Sequence, residues 1–182
     1  MARLVALLRG INVGGHKKVP MARLREVLEE AGFEDVRTYV QSGNVVLSAP
    51  PRRSPAAVGI ELEKAIEAEF GFDAAVVMRT RDEIAGLVQE DPLGDVATNP
   101  TYRIVVFLAE ELDRSLLAGV DPDEFAPEAF LLRDREIVMW APNGQRDSRL
   151  VKTLTEKRTG VVGTARNWRT VEKLLAMADQ GG

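Results

Sequence analysis

The residues best suited to chemistry in this chain sit in "RGINVGGHKKVP", Arg9 to Pro20, where three glycines, one histidine and two lysines lie between an apolar run and an amphipathic pattern. Gly14 and Gly15 let backbone N–H groups approach an anion closely, and Lys17 and Lys18 add positive charge just before a helix N-terminus that is itself partly positive. The spacing is a near miss to a phosphate-binding loop. Gly10 and Gly15 are correctly separated, but His16 occupies the lysine slot and no Ser or Thr follows to hold a magnesium ion. Conventional nucleotide hydrolysis is therefore excluded. Two readings stay open: an anion site, or a tight turn with solvated lysines.

The far end of the chain repeats the pattern. In "TARNWRTVEKLL", Asn167 suits the N-cap of a helix, and Arg166 and Arg169 again put positive charge at its start. Trp168 fits the apolar stripe of that helix and is read as core. A third polar group, Gln41, Ser42 and Asn44 in "YVQSGN", reads either as turn chemistry or as a set of substrate-orienting side chains. No base stands beside Ser42, so a nucleophile is not indicated. His16 is the only histidine, and the carboxylates show no metal-ligand spacing. No metal or cofactor is expected. The candidate binding residues are Arg9, Asn12, Gly14, Gly15, His16, Lys17, Lys18, Gln41, Ser42, Asn44, Arg166 and Asn167; no catalytic residue is assigned.

These segments need elements to position them. "ARLVALLRG" reads as a buried strand ending at Gly10. Pro20 opens a helix with Met21, Leu24, Val27, Leu28 and Ala31 at helical spacing, stopped by Gly32. "VRTYVQSGNVVLS" is a hairpin turning at Ser42–Asn44. Ser54 and Pro55 start a helix with the stripe Val58, Leu62, Ile66 and Phe70, and "AAVVM" follows as a strand. The order β-α-β-β-α-β is that of a ferredoxin-like unit. In this topology strand 1 lies between strands 3 and 4, which brings the first two polar segments near each other. Arg81–Glu90 reads as a short helix, and "EDPLGDVATNP" as the boundary.

The order then recurs: strand "TYRIVVFLA", short helix "EELDRSLLAG", hairpin "AFLLRDREIVMWA" turning at Asp134, helix "SRLVKTLTEKRTG", strand "VVGTA", and a helix from Trp168 to Ala178 with a fraying "DQGG" tail. The fold class is α+β: two ferredoxin-like (βαββαβ) halves with antiparallel sheets packed together, plus a C-terminal helix. The first half covers 1–80, a helix and connection 81–100, and the second half 101–182. The three polar segments are expected to converge on one cleft.

Composition narrows the rest. A chain of 182 residues buries roughly 70% of its unfolded surface, so no covalent staples are needed. Zero cysteines exclude disulfides and thiolate metal sites, and a cytoplasmic location is expected. No apolar run is long enough for a membrane span. A net charge of −4 disfavours a dedicated duplex-DNA binder.

Together "LLRGINVGGHKKVPM", "VRTYVQSGNVV" and "TARNWRTVEKLL" closely resemble the bacterial family named domain of unknown function 1697, over nearly the whole chain. The resemblance implies a cytoplasmic α+β protein of two ferredoxin-like halves. It also implies that Arg9, Gly10, Asn12, Gly14, Gly15, Gln41, Ser42, Gly43, Asn44, Arg166, Asn167 and Trp168 matter as a set. It carries no activity. His16 stands where the family pattern suggests an asparagine or similar polar residue.

Three functions compete. The favoured one is binding of a phosphorylated small molecule or other anion in a basic cleft. The second is an enzyme of unknown reaction class using the same cleft. The third is an RNA-binding or protein-interaction module; single-stranded nucleic acid is not favoured, because Tyr39 and Tyr102 are isolated and form no base-stacking pattern. Oligomeric state is not legible.

Overall fold

The computed structural model describes residues 1–181; Gly182, the last residue of the predicted tail and second half, lies outside the described residues. The fold is mixed α/β, with two four-stranded antiparallel sheets and six α-helices among the described residues. The chain forms two compact units. The first comprises Met1–Gly86 and the chain from Lys173 onward, the second Leu87–Glu172. The boundary thus falls inside a helix rather than in the 91–100 connection.

In the first unit, strands β1 (Ala2–Leu8), β2 (Glu34–Tyr39), β3 (Asn44–Ala49) and β4 (Val76–Thr80) are ordered β2-β3-β1-β4. The central strand β1 pairs Val5 with Val46 on one side and Arg79 on the other. Helix α1 (Met21–Glu30) buries Met21, Leu24, Val27 and Leu28 of the five residues its periodicity selected; the fifth, Ala31, is the exposed C-cap just past the helix. Helix α2 (Pro55–Phe70) starts as its local sequence dictates: the Ser54 hydroxyl accepts the Ala57 N–H at 3.2 Å, and Pro55 occupies the first turn. Gly71 ends it at φ 76°. Val58, Leu62 and Ile66 of α2 join Leu24, Leu28 and the β1 residues Leu4, Ala6 and Leu8 in one core.

Helix α3 (Arg81–Glu90) leads into the second unit, where β5 (Arg103–Leu108), β6 (Ala129–Leu132), β7 (Glu136–Trp140) and β8 (Gly163–Asn167) are ordered β6-β7-β5-β8. The β6–β7 hairpin turns at Asp134 and Arg135, with the Arg133 N–H on the Glu136 carbonyl at 2.8 Å.

The crossovers of the second unit differ from expectation. The predicted helix in "EELDRSLLAG" is a 3₁₀ turn, Arg114–Leu117, followed by another, Pro122–Phe125. Asp113 and Asp121 cap these turns through their carboxylates, a local bonding pattern that competes with α-helix. The predicted single helix ending at Gly160 is two short ones, α4 (Arg149–Thr153) and α5 (Glu156–Thr159), broken where Leu154 turns into the core and Thr155 becomes extended. Gly160 does end the pattern, at φ 71°.

Helix α6 runs Trp168–Asp179. Its last turns belong to the first unit, where Arg81 pairs with Asp179 at 2.7 Å.

Candidate functional site

Loop geometry at one end of the first sheet follows from a run of left-handed backbone. Gly14 and Gly15, at φ 59° and 79°, make the tight turn that glycine permits. The Val13 carbonyl accepts the His16 N–H at 3.0 Å, and the Lys17 carbonyl accepts the Asn12 N–H at 3.0 Å. Residues 12–17 therefore form a miniature hairpin rather than a cradle wrapped around the helix start. Helix α1 begins only at Met21, behind Pro20, and no side chain caps it.

Asn12 holds this hairpin to the body. Its Nδ2 donates to the Val19 carbonyl at 3.0 Å and the Gln41 carbonyl at 2.7 Å, while its Oδ1 accepts the Val19 N–H at 2.8 Å. Both amide protons are spent, so Asn12 positions the loop instead of reaching outward. The bond to Gln41 brings the first and second polar segments together, as the placement of β1 between β3 and β4 requires.

The second segment is a four-residue turn, Val40–Gly43, between β2 and β3. Positive φ falls at Val40 (51°) and Gly43 (80°), not at Asn44, which opens β3. A side chain at Gly43 would stand 2.7 Å from Leu8 Cβ and 2.8 Å from Ile11 Cδ1. The Gly43 carbonyl also accepts the Leu8 N–H at 2.8 Å. Asn44 is fully buried, its Nδ2 donating to the Tyr39 carbonyl at 3.0 Å and Ser42 Oγ at 3.1 Å. A left-handed β-branched Val40 is a strained position that no sequence signal announced.

The exposed candidates at this end are Arg9, Gly14, Gly15, His16, Lys17, Lys18, Gln41 and Ser42, with Val13 and Val40 as exposed apolar neighbours. Lys17 is engaged: Nζ donates to the Asp73 carbonyl at 2.6 Å, lies 3.7 Å from its carboxylate, and stands 5.6 Å from the Phe72 ring centroid. Asp73 thus supplies the counter-charge that the sequence reading sought in a ligand. Its side chain is almost wholly exposed, so the pair is a weak surface one.

The third segment, Thr164–Arg169, lies in the second unit. Asn167 caps α6 as predicted, its Oδ1 accepting the Thr170 N–H at 2.9 Å. Arg166 is a strand residue, buried, with Nη1 on Thr164 Oγ1 at 2.7 Å and the Ala165 carbonyl at 2.8 Å. Burial pushes its guanidinium down to about 10, so it stays charged at neutral pH. Trp168 is core, as read, and carries the Arg103 guanidinium 3.7 Å above its ring. Of the twelve candidates, Asn12, Asn44, Arg166 and Asn167 serve the fold; the rest are exposed in the first unit.

Among the described residues no group of three or more His, Asp or Glu side chains could hold a metal ion. No described helix is long and apolar enough to cross a membrane.

The chain is similar to the solved structure of conserved bacterial protein SP0830 from Streptococcus pneumoniae. The two are 25% identical, with a TM-score of 0.77 over 97% of this chain and 98% of that one. No curated protein matches the sequence. A family match covers residues 1–138, narrower than the resemblance read from the three segments, so Thr164–Arg169 falls outside it. It includes both loops tied by Asn12, and on this match the chain belongs to the family described as protein of unknown function (DUF1697).

Proposed function

We propose that the loop end of the first sheet binds a phosphorylated small molecule or similar anion. One observation carries the reading. The Asn12 side chain ties the hairpin of residues 12–17 to the Val40–Gly43 turn, and Arg9, His16, Lys17, Lys18, Gln41 and Ser42 are exposed in these two segments and beside them. Fixed loops on a rigid sheet cost little entropy on binding. A ligand phosphate would replace Asp73 as the partner of Lys17, gaining charge-assisted hydrogen bonds in exchange for a weak surface pair. Gly14 and Gly15 leave room for main-chain approach.

The architecture we propose with this function is two ferredoxin-like halves, supported by the strand order 4-1-3-2 counted from the β4 edge and its repeat in the second sheet. A reducing, cytoplasmic setting is supported by the absence of cysteine.

The test is a thermal-shift and calorimetry panel of nucleotides, sugar phosphates, inorganic phosphate and short single-stranded RNA. A specific phosphorylated ligand should raise the melting temperature by mass action. The double variant Lys17→Ala, Lys18→Ala should weaken it by about tenfold or more, a loss of about 1.4 kcal/mol. No stabilisation by any member, or an unchanged affinity in the variant, overturns the reading. A steeply salt-dependent response confined to RNA would put the nucleic-acid alternative in its place, and turnover of a panel member would make the site an enzyme's.

A further inference from the structure

A basic concavity lies in the second unit, and none of the candidate residues discussed above is among its lining residues. Its volume is about 430 Å³, and its walls include Gly119, Val120, Phe125, Arg149, Lys152 and Arg158. That volume is in the range of small-molecule sites, roughly 300–1,000 Å³. Three cations line it against a single carboxylate, Glu124, in a chain whose net charge is −4. Like charges gathered around one concavity repel unless an anion joins them.

The arrangement is not that of solvated lysines on a helix face. Arg149 is fixed from two sides: Nη1 donates to the Glu124 carbonyl at 2.8 Å, and the guanidinium stands 5.3 Å from the Phe125 ring centroid. The backbone carbonyl spends one of its five N–H groups and leaves the charge unneutralised. Lys152 and Arg158 form no ion pair among the described residues. The break between α4 and α5 is what brings Arg158 in. On one continuous helix, nine residues at 3.6 per turn would carry Arg158 about half a turn away from Arg149. The interruption at Leu154 and Thr155 instead places both on the same cavity. Phe125 and Val120 form the apolar part of the wall, and Phe125 is buried.

We infer that this cavity is a binding site for a small polyanion, a molecule carrying at least two phosphoryl or carboxylate groups, held by Arg149, Lys152 and Arg158. Glu124 offsets one of the three positive charges, so a monovalent anion would still leave one cation uncompensated, whereas an anion of two or more charges balances the site. Two guanidinium groups supply the planar forks that suit phosphate and carboxylate oxygens.

The experiment is a titration of the ¹⁵N-labelled full chain with inorganic pyrophosphate, followed by ¹H–¹⁵N spectra, with citrate as the polycarboxylate probe and sodium chloride of equal ionic strength as control. The expected result is saturable shifts at Gly119, Val120, Lys152 and Arg158. The double variant Lys152→Ala, Arg158→Ala should raise the Kd by about tenfold or more. Gly119→Leu should do the same without removing charge: its Cβ would stand at an ordinary 3.8 Å from Arg158 Nη2, and the rest of the side chain would take up space at a position that lines the cavity. Should that variant fail to fold, the double variant decides, since Lys152 and Arg158 are exposed. Lys17→Ala with Lys18→Ala should leave these shifts unchanged, which separates this site from the one proposed in the first unit. Saturation by pyrophosphate alone identifies a phosphoryl site, and saturation by both probes a general polyanion site. Shifts that follow the chloride control, or a Kd unchanged in the double variant, overturn the inference.

Discussion

The two units share a strand order but not a way of making it. In the first, β1 and β2 are joined through a 10-residue helix and β3 and β4 through a 16-residue one. In the second, the corresponding connections are two 3₁₀ turns and two helices of five and four residues. Both sheets nevertheless place the opening strand of the unit between its third and fourth. A crossover must supply apolar side chains to one face of the sheet, and regular helix is only one means. Leu24, Leu28, Val58, Leu62 and Ile66 do this in the first unit; Leu117, Phe125, Leu150 and Leu154 do it in the second. The cost of irregular crossovers is that more backbone groups need local partners, which Asp113, Asp121, Ser148 and Glu128 provide.

If irregular crossovers bury their leucines as usefully as helices do, Leu62→Ala and Leu150→Ala should each lose about 2–5 kcal/mol, since both side chains are fully buried. Urea denaturation of the two variants measures this. A loss below about 1 kcal/mol for Leu150→Ala alone would show that the second core leans little on its crossovers.

Glycines sharpen the contrast next. Gly160→Ala carries only the left-handed penalty of about 1–2 kcal/mol, because its nearest neighbour, Leu116 Cδ1, is at an ordinary 3.6 Å. Gly43→Ala carries that penalty and also meets Leu8 Cβ at 2.7 Å, so overpacking of roughly 1–3 kcal/mol is added. Thermal melts should rank Gly43→Ala clearly below Gly160→Ala. Equal melting temperatures would mean that the Val40–Gly43 turn can shift away from β1.

A third contrast concerns the polar ties, whose loss should stay below that of the buried leucines. Asn12→Ala removes three hydrogen bonds from the loop of the first unit, and Glu128→Gln weakens an acceptor for Ser148 Oγ and the Arg149 and Leu150 N–H groups in the second. Each should cost about 1–3 kcal/mol. Amide exchange locates the damage: faster exchange near Val19 in the first variant, and near Arg149 and Leu150 in the second. Global loss from either would mean that the tie belongs to the core and not to a loop.

Where local sequence was sufficient, it named structure closely. Ser54 with Pro55, the stripe through Ile66, the stop at Gly160 and the Asn167 cap all act within one or two helical turns, and all appear where they were read. Helix α3 was read at Arg81–Glu90 and occupies those residues. Reading failed at Arg114–Leu117 and at Leu154, where composition permits helix but side-chain bonds or a core position prevail. The polar segments were found from residue type, yet type could not say which side chains face outward. Asn12 and Asn44 looked like ligands and are internal ties. Val40 looked like strand and holds a left-handed turn.

By itself, then, the sequence determined the succession of strands, the elements of the first unit, the capped helix starts and the loop rich in glycine and lysine, because those depend on propensities and bonds between near neighbours. Only the tertiary structure decided that Asp73 answers Lys17, that Arg166 is buried in a strand, and that Arg149, Lys152 and Arg158 line one cavity. These depend on which distant segments pack together, and side-chain charge carries no information about its own direction until the backbone around it is fixed.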